Sequence, residues 1–210
     1  MSKQKDLFKF HGKLDNVVGF KSRGTHYTRM APCTNNDVKT PKRLIQRAKF
    51  AAVTQFIQKF GLIYKAGYHH YNTSINQRAN FFRQIWNNAL IGTPEEGYSI
   101  DPTKVDISSG SLTPCHSIAA SVTPASQTVT VSWSDNTGVG EAQPTDQLMY
   151  CFFNLSKETN IYGNNVAARD EESYSFTYPA DWAGDTCYLY VAWTSGSSES
   201  VSKMLGVFTA

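Results

Sequence analysis

Five histidines, four cysteines and one short run of acids are the residues from which this 210-residue chain could build a reactive centre. His69 and His70 stand side by side in a tyrosine-rich stretch, while His11, His26 and His116 are scattered. Adjacent histidines cannot both face one site on a regular helix or strand, and no HExxH or carboxylate-rich companion motif follows. Their rings are expected instead to stack with Tyr68 and Tyr71 in a partly exposed loop. Cys33, Cys115, Cys151 and Cys187 have no CxxC spacing and no partner motif, and no GxSxG elbow is present, so neither a nucleophile, a zinc site nor a redox pair is indicated. Buried free thiols are expected, with a bridge between two of the last three left open for an oxidising location. Asp170, Glu171 and Glu172 read as a hairpin tip rather than as two carboxylates held apart for acid and base work. Asp135, Asn136, Glu141 and Asp146 offer oxygen ligands without EF-hand spacing. Trp182 and Trp193 could face sugars, but core positions suit them better. No catalytic residue, metal or cofactor is expected, and the chain reads as a non-enzyme.

Charge is far more telling than any reactive motif. Residues 1–91 carry sixteen Lys and Arg against three acids, a balance of +13, whereas residues 92–210 carry four against fourteen, a balance of −10. A basic half attracts polyanions, and an acidic half attracts the basic half of another copy. Both readings call for a partner. In the first half the cations are interleaved with aromatics, as in FKFHGK and GFKSRGTHYTR, a pattern in which charges track phosphates and rings stack on bases. No helix-turn-helix, zinc finger or RNA-recognition motif accompanies it, so binding of DNA or RNA would be insensitive to sequence.

These residues need elements to hold them. Residues 1–39 are basic, punctuated by Gly12, Gly19 and Gly24, and lack helical periodicity, which predicts an extended arm with apolar anchors that must lie against something else. Thr40 as N-cap, Pro41 at the first helical position and Gly61 past the end delimit a helix. Its stripe runs through Leu44, Ile45, Ala48, Ala52, Val53, Phe56, Ile57 and Phe60. A second helix is predicted over residues 74–90, and the two are expected to pack as a hairpin. From about residue 100 the texture changes to short alternating runs, with strands predicted at 104–108, 117–122, 128–134, 147–155, 160–168, 173–178, 186–194 and 201–208. The expected fold class is therefore α+β: a basic extended arm over 1–39, a helical hairpin region over 40–99, and an antiparallel β-sandwich over 100–210.

The stretch TVTVSW ending at Trp133, together with YLYVAWTSGSSESVS carrying Tyr188, Tyr190, Ala192 and Gly196, resembles strands of a fibronectin type III or other immunoglobulin-like domain. Gly12, Lys13, Gly19, Arg29, Pro32, the Arg47-Ala48-Lys49-Phe50 run, the Trp-Ser-Asp-Asn piece at 133–136 and the Thr-Asp piece at 145–146 resemble an uncharacterised domain-of-unknown-function family of bacterial and phage-linked proteins. That resemblance implies a two-part build and brings no activity with it.

The reading that joins charge, arm and resemblance is a self-assembling structural protein of a virion or virion-like particle. Phe8, Phe10, Val17, Val18, Phe20 and Tyr27 are the expected subunit-interface residues. Lys9, Lys13, Lys21, Arg23, Arg29, Lys42, Arg43, Arg47 and Lys49 are expected to meet nucleic acid or an acidic partner. The alternative is a sequence-nonspecific nucleic-acid-binding protein using the same basic half. Other copies of the chain are the expected partners, with DNA or RNA next. The first residues lack an apolar signal region and no run of about 20 apolar residues occurs, so cytoplasmic synthesis without membrane insertion is expected, with a virion as the candidate destination.

Overall fold

The computed structural model describes residues 2–3, 9–32, 39–72 and 74–210, so that Phe8 and Cys33 lie outside the described residues. The chain forms two compact units, Met1–Pro41 and Lys42–Ala210.

In the first unit, β1 (Ser2–Lys3), β2 (Gly12–Leu14), β3 (Val17–Ser22) and β4 (Thr25–Met30) make an antiparallel sheet in the order β1-β4-β3-β2. Residues 12–30 are thus not an extended arm: the chain folds back on itself twice. The cause is local. Arg23 (φ 48°) and Gly24 (φ 80°) both take left-handed angles, the geometry that lets a two-residue loop join strands of natural twist. Phe10 lies so close over Gly19 that any β-carbon there would collide with its carbonyl oxygen and ring.

The second unit holds all of α1 (Pro41–Lys59) but its first residue, followed by the single turn α2 (Tyr64–Gly67) and α3 (Gln77–Gln84). α3 starts later than its apolar pattern suggests because Asn76 caps it, its Oδ1 accepting from the Ala79 N–H at 2.7 Å. It then widens into a π turn over Ile85–Ala89. β5 (Leu90–Thr93) and β6 (Gly97–Ile100) form a hairpin that was not expected. A strand expected at 104–108 is replaced by a 3-10 turn, Pro102–Lys104, capped by the Asp101 side chain.

The remaining strands are β7 (His116–Thr123), β8 (Thr128–Ser134), β9 (Gln147–Asn154), β10 (Thr159–Gly163), β11 (Ser173–Thr177), β12 (Thr186–Thr194) and β13 (Lys203–Thr209). They form a three-stranded sheet, β11-β8-β7, and a four-stranded sheet, β10-β9-β12-β13, all antiparallel. The sequence pattern explains their layering. β8 alternates polar and apolar and buries only Val129, Val131 and Trp133, as a strand with one wet face must. β9 and β12 are nearly continuous apolar runs and are buried except at Gln147, Thr186 and Thr194. Their alternate residues go to two cores. Met149, Cys151, Phe153, Tyr188, Tyr190 and Ala192 pack with Val53, Phe56, Ile57, Phe60, Phe81 and Ile85 of the helices. Leu148, Tyr150, Phe152, Leu189, Val191 and Trp193 pack with Val129, Val131, Trp133 and Phe176 of the opposite sheet. The four-stranded sheet is the shared wall of both cores. Among the described residues, no helix is long and apolar enough to cross a membrane.

Candidate functional site

The first unit gathers most of the cationic and apolar residues singled out above onto two faces of one sheet. Cross-strand partners point to the same side of an antiparallel sheet, and the register pairs Lys13 with Val18, Val18 with Arg29, and Phe20 with Tyr27. One face therefore carries Lys13, Arg29, Val18, Phe20 and Tyr27, with the last two rings stacked at 5.8 Å. The other face carries Leu14, Val17 and Met30 in one row, with Lys21 opposite His26. Arg23 sits in the tight turn between β3 and β4, and Lys9 precedes the sheet. Gly19 is the single buried residue among the described residues of this unit. Leu14 and Met30 are 67 % and 71 % exposed.

His26 lies among cations, its ring edge-on to His11 at 5.9 Å. Burial of the ring holds it below the ordinary histidine value, and Lys21, His11 and Lys9 add to that by repelling a further positive charge.

The predicted cations of the helical region lie on the first three turns of α1, where Lys42, Arg43 and Arg47 are exposed and Lys49 reaches over the Tyr98 ring at 5.1 Å. The apolar stripe of this helix is buried only from Val53 onward. Leu44 and Phe50 remain exposed beside the cations.

Two of the oxygen-bearing residues of the loop before β9, Asn136 and Asp146, hold a buried arginine. Arg169 is completely buried. Its Nη2 pairs with Asp146 Oδ2 at 3.0 Å and donates to the Thr113 carbonyl at 2.9 Å. Its Nη1 donates to Asn136 Oδ1 at 2.5 Å and reaches Cys115 Sγ at 3.2 Å. The guanidinium lies 4.9 Å above the Trp193 ring, while Trp133 Nε1 donates to the Arg169 carbonyl at 2.7 Å. One cation thus ties three loops to the rim of the second core, leaving only its Nε without a hydrogen-bond partner.

The three described cysteines are buried and free. Burial pushes the Cys115 thiol up to about 11, against the pull of Arg169, and the Cys187 thiol up to about 12. Cys151 is driven up further by complete burial. Thiolate chemistry is disfavoured at all three. Cys151 and Cys187 belong to different cores, on opposite sides of the same sheet.

His69 and His70 depart most from expectation. They follow α2 in an irregular bend rather than a regular element, and this bend brings the two rings together, edge to face, with centroids 4.4 Å apart. His69 Nδ1 is 3.1 Å from His70 Nε2, and His70 Nδ1 is 2.8 Å from Glu199 Oε1. Glu199 is buried in the β12–β13 loop and also accepts the His70 backbone N–H. Two glycines allow this long-range meeting. A β-carbon at Gly67 would strike the Ile107 carbonyl and Ser108, and one at Gly110 would strike the Glu199 backbone. Only the His-His pair was visible in sequence, because Glu199 lies 129 residues away from His70.

The model of a family of unknown function, DUF6266, matches residues 9–206. The chain belongs to this family. No curated protein matches the chain. The DUF6266 match runs across both units, so the cationic sheet and the Arg169 knot fall within a single family pattern. Three residues through which the sequence resembled a domain of unknown function, Trp133, Asn136 and Asp146, converge on Arg169. Their contacts with this buried cation hold the fold together.

Proposed function

We propose that this DUF6266 chain is a non-enzymatic, self-assembling structural protein of a virion or virion-like particle, bacterial or phage-linked in setting. The first unit and the exposed start of α1 supply the subunit contacts. We read the second unit as a helical hairpin carrying an immunoglobulin-like sandwich. Its strand orders, β11-β8-β7 and β10-β9-β12-β13, support that reading, since they match the two sheets of such a sandwich without its fourth outer strand.

The observation that carries the proposal is the sheet of the first unit. Leu14 and Met30 are exposed on it, Val17, Val18, Phe20 and Tyr27 are half-buried, and its only buried described residue is a glycine. A small sheet gains little stability without an apolar face packed against something. The complementary surface is the rim around Arg169, where Asp135, Glu141, Asp170, Glu171 and Glu172 are all exposed. Contact between unlike surfaces of successive copies is heterologous and propagates into rings, shells or filaments.

Light scattering over a protein concentration series, with and without nuclease and at two salt levels, tests this. Large particles that survive nuclease support assembly. A monomer at every concentration contradicts it.

The second reading is sequence-nonspecific nucleic-acid binding. It is favoured by the face that sets the stacked Phe20 and Tyr27 rings beside Lys13 and Arg29, an arrangement suited to single strands. Its signature is a size shift with added DNA or RNA that weakens steeply with salt.

A further inference from the structure

We infer that His69 and His70 form a binding site for a divalent cation of the zinc class, with Glu199 as the group that orients it. This goes beyond the assembly reading and does not depend on it. Imidazole nitrogens favour Zn²⁺, Ni²⁺ and Cu²⁺ over Ca²⁺ and Mg²⁺. Two nitrogens bound at about 2.05 Å to a tetrahedral ion stand about 3.3 Å apart, and His69 Nδ1 and His70 Nε2 are already 3.1 Å apart. The two nitrogens already stand within a few tenths of an ångström of that separation, and turning the rings would aim both lone pairs at one ion.

Glu199 fixes the chemistry of the second ring. An ionised carboxylate can only accept, so the 2.8 Å contact makes His70 Nδ1 the donor and leaves Nε2 with a free lone pair. This carboxylate–histidine–metal arrangement is the usual second shell of a metal-bound imidazole. The carboxylate is itself held in place: Glu199 is 1 % exposed and accepts the His70 backbone N–H through both oxygens. Without the ion, the proton on His69 Nδ1 bridges the two nitrogens. When the ion binds it takes that place, and His69 shifts to its other tautomer, so no net charge has to be buried beyond that of the ion.

The site is reachable. His69 is exposed, the His70 side chain is 32 % exposed, and both line a cleft of about 280 Å³ with Thr145, Gln147, Asn164 and Asn165. The cleft leaves room for water or a small anionic ligand at the remaining coordination positions. Among the described residues, these two histidines and Glu199 are the group whose donor atoms lie close enough to share an ion, all within 4.8 Å.

The test is titration of the untagged full-length chain with Zn²⁺ by calorimetry, and with Co²⁺ followed by visible absorption. One ion per chain is expected, with the intense d–d bands of a four-coordinate site for Co²⁺. His69→Ala and His70→Ala should each weaken binding at least tenfold, and Glu199→Gln should weaken it tenfold to a hundredfold. His69→Ala removes an exposed ring and keeps the fold, so it decides the matter even if Glu199→Gln does not fold. His11→Ala, which breaks the other histidine pair, should change nothing. No saturable binding, binding that survives His69→Ala, or binding lost in His11→Ala overturns the inference.

Discussion

The two units of this chain are both antiparallel sheet, yet they hold themselves together by opposite means. The second unit has more than thirty buried apolar side chains in two cores, and it can keep Arg169 and Asp146 wholly out of water because each satisfies the other. The first has two tight turns, stacked rings and, among its described residues, one buried glycine, with its described cations turned outward. The lesson is that sheet-forming sequence and a self-sufficient fold are separate properties. On the proposed reading, the region that has the first without the second is where another copy binds.

The largest effect expected from breaking this contrast lies at Arg169. Arg169→Ala leaves Asp146 buried without a counter-charge and frees three loops, and should cost about 3–5 kcal/mol in urea denaturation of the second unit. Arg169→Met with Asp146→Leu should cost much less, because no charge is then stranded. Next, Gly67→Ala drives a methyl into the Ile107 carbonyl and should lower stability by about 1–3 kcal/mol. In the first unit, Met30→Ser and Leu14→Ser should shift monomer stability by less than about 0.5 kcal/mol while lowering the size of the particles formed. If either destabilises the monomer as much as Gly67→Ala, the first unit has a core of its own and the contrast fails.

The smallest expected effect is with pH. An unfolded histidine titrates near 6.5, and His26 is held below that in the folded sheet. The unfolded chain therefore takes up a proton first as pH falls. The contribution of His26 is fully present above about pH 6.5 and is lost as pH drops through its lowered folded value. Groups facing it are Lys21, His11 and Lys9. Amide exchange in β3 and β4, corrected for intrinsic rates, should show protection falling over that window, and His26→Gln should flatten the dependence.

How much of this could be read from sequence varies with distance along the chain. α1, β8 and β12 were legible nearly to the residue because caps, a two-residue alternation and a continuous apolar run are local signals. The arm was misread because its glycines looked like breaks, whereas Gly24 serves a tight turn and Gly19 makes room for Phe10. Alternation on either side of Arg23-Gly24 was the signal for a hairpin. The cations of the first unit were legible as a patch, but their division between two faces needed the register. Arg169 could not be foreseen as a buried centre, since its partners, Thr113 and Cys115 before β7 and Asn136 and Asp146 between β8 and β9, come from two other loops. The histidine pair was seen and dismissed on a rule that holds only for regular elements, and the bend after α2 lifts it.

The central claim is that the cationic sheet connects one copy to the next. Sedimentation velocity at rising concentration, comparing the native chain with a Lys13→Glu, Arg29→Glu variant in nuclease-treated samples, tests it most directly. Native chain that grows into large species, with a variant that stays folded and monomeric, is the predicted result. Identical sedimentation of the two at every concentration would contradict it.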